Sequence, residues 1–93
     1  MARILVSTSR FRRRYQELDD PDRRRVDDAL LRLGEYLAGG HASAGLGLKK
    51  LASGIFEARA GLALRIVYVE EGARIIPALL GNHDEVRRFL RRQ

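Results

Sequence analysis

Residues 54–90 read GIFEARAGLALRIVYVEEGARIIPALLGNHDEVRRFL, and this stretch decides the fold. It contains three β-prone runs: IFEARA (55–60), LALRIVYVEE (62–71) and ARIIPALLG (73–81). Only short turns holding Gly61 and Gly72 separate them. Consecutive strands joined so tightly predict an antiparallel meander. In the middle run, strand alternation puts Ala63, Arg65 and Val67 on one face. Leu62, Leu64, Ile66 and Tyr68 fall on the other, which is the expected core face. Arg65 should therefore stand on the opposite, open face. Pro77 offers no N–H to a ladder, so the third run should carry a bulge or a locally unpaired edge.

The tail GNHDEVRRFL (81–90) is a helix start. Asn82 is a good N-cap, and Glu85 three residues later completes a capping box. Asp84 and Glu85 suit the positive end of the helix dipole, while Arg87, Arg88, Arg91 and Arg92 suit the negative end. Val86, Phe89 and Leu90 face inward. His83 is the one residue this scheme does not call for. Imidazole changes charge near neutral pH, so His83 is either a plain helix-start residue or a group that moves a proton.

Toward the N-terminus, residues 4–6 are β-prone and hydroxyl residues behind them can cap a helix. Phe11, Tyr15 and Leu18 are spaced four and three apart, one helical face. In DDPDRRRVDDALLRLGEYLAGG (19–40), Asp20 is the expected cap, with Pro21 at the first helical position. Val26, Leu30, Leu33 and Leu37 form an apolar stripe, and Gly39 and Gly40 end it. Arg23–Asp27 and Arg24–Asp28 have i,i+4 spacing and should pair. Arg12–Arg14 and Arg23–Arg25 read as helix surface, adding at most a salt-dependent attraction to phosphate. The segment GGHASAGLGLKKLASG (39–54) lacks periodicity and is long for a loop in so short a chain, which points to function or mobility. His41 within it reads as a loop residue. The expected fold class is α+β: an N-terminal strand and a helix hairpin packed on an antiparallel sheet of three to four strands, then a short C-terminal helix.

The chain has 93 residues and no cysteine, so one small domain spanning residues 1–93 is expected. It leaves no room for a cofactor domain beside a substrate domain. Disulfides, thiolate nucleophiles and cysteine zinc sites are excluded. No run of some twenty apolar residues and no leader pattern is seen, so a soluble cytoplasmic protein without a membrane partner is expected. Net charge is +6, and 16 of the 18 cations are arginine. That balance suits nucleic acid or an acidic protein partner. It is equally compatible with arginine that merely solubilises the surface.

The segments GLGLKKL, GIFEAR, LRIVY and GNHDEVRRFL together resemble the RelE/ParE superfamily of bacterial toxins, the stable halves of type II toxin–antitoxin pairs. The likeness covers the whole chain in layout and is sharp from Gly45 onward. It implies a cytoplasmic toxin neutralised by a cognate acidic antitoxin, in a toxin–antitoxin hetero-oligomer. RelE-like members are ribosome-dependent endoribonucleases that cut mRNA, without metal or other cofactor. The G-x-H turn resembles the YafQ-type branch, whose histidine there takes part in cleavage. Several RelE nucleases place a tyrosine in the C-terminal segment; Phe89 stands there here, which shifts the burden to His83. ParE-like members instead poison DNA gyrase, and that is the alternative. A non-catalytic basic module that binds RNA or protein is a third reading.

The resemblance makes His83 and Arg65 the expected catalytic pair. Arg65 would stabilise the crowded phosphorane with its fork of donors. On the plainer reading it is an exposed arginine paired with Glu57. Lys49, Lys50 and Arg59 are the expected RNA- and phosphate-binding residues, with one of the two lysines acting. No metal-binding residue is expected.

Overall fold

The computed structural model describes residues 4–6, 8–41 and 44–93. The elements are β1 (Ile4–Leu5), α1 (Ser9–Glu17), α2 (Asp20–Leu37), a 3-10 turn (Ala44–Leu46), β2 (Lys49–Ala52), β3 (Ile55–Ala60), β4 (Leu64–Glu71), β5 (Arg74–Gly81) and α3 (His83–Arg91). The fold is α+β, with the helix hairpin, antiparallel sheet and C-terminal helix read from the sequence. The sheet order is β1-β5-β4-β3-β2. Strands β2 to β5 are antiparallel, and β1 adds to β5 in parallel. The sheet thus has five strands, one more than the sequence suggested. The extra strand is β2, which carries Lys49 and Lys50 and had read as the end of a loop. Four residues, mostly exposed, show no alternation to detect; β2 exists because its backbone completes the edge of β3.

The strand phase is as expected. Val26, Ala29 and Leu33 of α2 pack with Leu64, Ile66 and Tyr68 of β4 in one core, and Leu30 and Phe56 lie against it. Phe56 stacks on Tyr68 with ring centroids 5.4 Å apart. A smaller core lies on the other side of the sheet, where Val86 of α3 meets Ile55, Val67 and Leu79. The face assigned to Arg65 is therefore not open: α3 roofs part of it. Leu62, placed with the core by alternation, sits in the β3–β4 turn and is 96% exposed.

Pro77 makes the expected bulge. Val67 pairs with Leu79 while Tyr68 pairs with Pro77, leaving Ala78 as the extra residue. The insertion changes the facing of β5. Ile75 and Leu80 both reach the hairpin core, and Leu79 turns toward α3. The Pro77 carbonyl accepts a hydrogen bond of 2.9 Å from the Thr8 hydroxyl, which in turn accepts from the Phe11 N–H. Thr8 thereby caps α1 and ties its start to the sheet.

Two local expectations change. The cap of α2 is Asp19, whose side chain accepts from the Asp22 N–H at 2.9 Å; Asp20 is the first helical residue and Pro21 the second. The arginines of α2 pair backward, not forward. Arg23 lies 3.5 Å from Asp20 and Arg25 2.6 Å from Asp22. Competition explains this. Arg23 Nε donates to the Leu18 carbonyl at 2.9 Å, Asp27 accepts from the Tyr15 hydroxyl at 2.7 Å, and Asp28 is taken by Arg32.

Candidate functional site

The sheet register lines up polar side chains on the α3 side. Lys49 stands opposite Glu57, Arg59 opposite Arg65, and Arg65 opposite Gly81. The chain then turns into α3, whose first residue is His83. The turn is held reciprocally. Asn82 Oδ1 accepts from the Glu85 N–H and Glu85 Oε1 accepts from the Asn82 N–H, both at 2.9 Å. Arg14 of α1 approaches the same Glu85 oxygen at 3.6 Å, linking the first helix to this cap. His83 is exposed at a helix start fixed by its neighbours. Arg87, four residues on, projects from the same helical face.

Lys49, Glu57, Arg59, Arg65, His83 and Arg87 line one cleft of about 360 Å³, with Leu51, Val86 and Leu90 as its apolar part. Four permanent cations thus surround one carboxylate. Glu57 is 8% exposed. Its Oε1 lies 3.8 Å from Arg65 Nε, and Arg65 Nη1 donates to the Leu62 carbonyl at 3.2 Å. These contacts hold the Arg65 guanidinium in place, so the expected alternative, pairing with Glu57, and a place in the cleft are both realised. Among the described residues no carboxylate forms an ion pair with Lys49, Arg59 or Arg87.

Four of the five residues singled out in the sequence meet here: His83, Arg65, Arg59 and Lys49. Lys50 does not. It stands opposite Phe56, whose ring lies against the hairpin core, so strand alternation sends it to the other face. His41 is exposed and outside the cleft. Sequence reasoning missed Arg87, which had been assigned to the helix dipole. Its i,i+4 spacing from His83 was the available signal. A cluster of fixed cations beside an exposed imidazole can bind an anion and exchange a proton with it.

A solved toxin structure shares this fold. It is a copper-bound mutant toxin from Helicobacter pylori, superposed with a TM-score of 0.66 at 17% sequence identity. The match covers 92% of this chain and 99% of that one. At that identity the likeness is one of fold. No family model matches the chain, and no curated protein does. Among the described residues, no group of three or more His, Cys, Asp or Glu side chains is arranged to hold a metal ion. No described helix is long and apolar enough to cross a membrane.

Proposed function

We propose that this chain is a toxin that cuts mRNA on the ribosome, kept inactive by an acidic antitoxin. The observation that carries the reading is the convergence of His83, Arg65, Arg59, Lys49 and Arg87 on one cleft. The shared fold of a solved toxin supports it. Cleavage of RNA by its own 2′-hydroxyl needs little more than such a cleft. The 2′-oxygen bonds to phosphorus and gives up its proton. The bond from phosphorus to the 5′-oxygen breaks, and that oxygen takes up a proton. The products are a 2′,3′-cyclic phosphate and a 5′-hydroxyl end. His83 is the group suited to one of these proton transfers. Arg65, steadied by Glu57, and Arg59 face the extra negative charge of the pentavalent phosphorane. Lys49 and Arg87 hold the strand as phosphate contacts. An acidic partner segment laid on the same cleft would block it by charge complementarity.

The test is primer extension on mRNA with and without ribosomes, beside a gyrase supercoiling assay. Ribosome-dependent cuts with unaffected gyrase are expected. Gyrase inhibition with intact mRNA would replace the nuclease reading with a gyrase poison.

A further inference from the structure

A second groove, of about 240 Å³, opens between α2 and the β3–β4 end of the sheet. Arg25 and Arg32 of α2 and Arg59 of β3 line it, and each lies against a glycine. A Cβ at Gly61 would meet Arg25 Cδ at 2.6 Å, and one at Gly45 would meet Arg32 Nη1 at 2.9 Å. A Cβ at Gly47 would meet Arg59 Cδ at 2.7 Å. Gly47 and Gly61 also have positive φ, +55° and +82°, so the glycines suit the turns and leave room for the arginine stems together. Gly61 thus lies under the stem of Arg25 and Gly45 under the guanidinium of Arg32 in this groove, while the stem of Arg59 rests on Gly47 at the edge of the His83 cleft.

The partners of these arginines leave charge available. Arg25 pairs with Asp22, which lies outside the groove. Arg32 contacts Asp28 through Nε at 3.2 Å, and Asp28 does line the groove. An incoming anion must therefore be drawn by Arg25, Arg59 and the Nη edge of Arg32. Arg59 lines this groove and the cleft of His83 alike.

We propose that the groove is a second phosphate subsite for single-stranded RNA, taking the backbone of the strand whose other end occupies the His83 cleft. The proposal rests on the reading of that cleft as an RNA site. A phosphodiester chain presents one anion at every nucleotide, which suits two cationic sites sharing one arginine. Arginine forks match phosphate oxygens bidentately, and contacts at both sites on one strand offset the repulsion from the Asp28 carboxylate.

The experiment is fluorescence anisotropy with 5′-fluorescein, fully 2′-O-methylated single strands of about 4 and about 12 nucleotides, a range typical of single-strand sites. These probes cannot be cut, so binding is read apart from cleavage. The double variant Arg25→Ala/Arg32→Ala should bind the long probe roughly tenfold more weakly, with a salt slope reduced by about 1–2. The short probe should bind within about twofold of wild type, since it fills only one of the two sites. Arg25→Lys/Arg32→Lys keeps the charges and the helix ion pairs, and should recover part of the loss. Equal weakening of both probes, or an unchanged long probe, would overturn the proposal. If the long probe binds unchanged while labelled polyglutamate is lost, the groove takes an acidic protein instead. If the length dependence appears but no mRNA is ever cut, the groove stands and the nuclease reading falls. Cleavage without the length dependence does the reverse.

Discussion

His83→Asn separates helix capping from proton transfer. The structural cost of the change is small. His83 is exposed, and the hydrogen bonds that start α3 run between Asn82 and Glu85 without it. Asparagine and histidine have similar helix propensities, so unfolding in urea should shift by less than about 0.5 kcal/mol. Asn82→Ala provides the scale for real damage to the cap: about 1 kcal/mol, because it removes the acceptor for the Glu85 N–H. The catalytic cost is different in kind. A positioned acid or base contributes about 10²–10⁴-fold, equivalent to roughly 3–5 kcal/mol of barrier. Asparagine can still donate and accept hydrogen bonds, but it cannot titrate. Single-turnover cleavage of ribosome-bound mRNA, read by primer extension, should therefore fall by at least about a hundredfold while stability holds. A variant that cuts within about threefold of wild type would be well outside that range. His83 would then be only the first residue of a helix.

Three further outcomes are expected. Leu64→Ala, which empties a buried position in the hairpin core, should cost about 2–5 kcal/mol in urea unfolding, and Ile66→Val about 0.5–1.5 kcal/mol; a cost for Leu64→Ala under about 1 kcal/mol would contradict the packing. Arg65→Lys should keep RNA binding near wild type yet recover only part of the cleavage lost in Arg65→Ala, since an ammonium lacks the fork; full recovery would show that charge alone suffices. Tyr15 has its pKa raised above 10.0, chiefly by the hydrogen bond its hydroxyl donates to Asp27 and further by burial. The folded state thus holds this proton more tightly than the unfolded chain. The stability it brings is present below pH 10 and is lost as pH rises through the raised value, so the gap between wild type and Tyr15→Phe should narrow in urea titrations above pH 10 and stay constant below it.

The parts of the fold that were legible in the sequence are those that one rule decides. The faces of β4 follow from alternation, because eight residues give enough periods to phase it. The start of α3 follows from Asn82 and Glu85, because the box is local. The bulge follows from Pro77, because a missing donor must appear somewhere. What escaped was decided by competition between distant partners. Arg23 had an aspartate four residues on, but the Leu18 carbonyl and Tyr15 changed which contacts were open. Strand β2 is set by the edge of β3, not by its own four residues.

The site follows the same division, with one consequence for its chemistry. Strand phase could place Arg65 and Arg59 on one face, whereas the choice between Lys49 and Lys50 waited on the pairing of β2 with β3, which puts Lys49 in their row. The position of α3 over that row could not be read, because it depends on Ala78 turning Leu79 toward Val86. That packing brings Arg87 to the cleft and roofs Glu57 and Arg65, whose side chains are only 10% and 16% exposed. An arginine held in such a place is weakly screened by water, so it acts more strongly on a phosphate than the exposed arginines of α1 and α2 can. Among the described arginines, Arg65 is the one held this way, with Glu57 keeping it in position; under the proposed function that environment suits it to the charge that develops on the phosphorane.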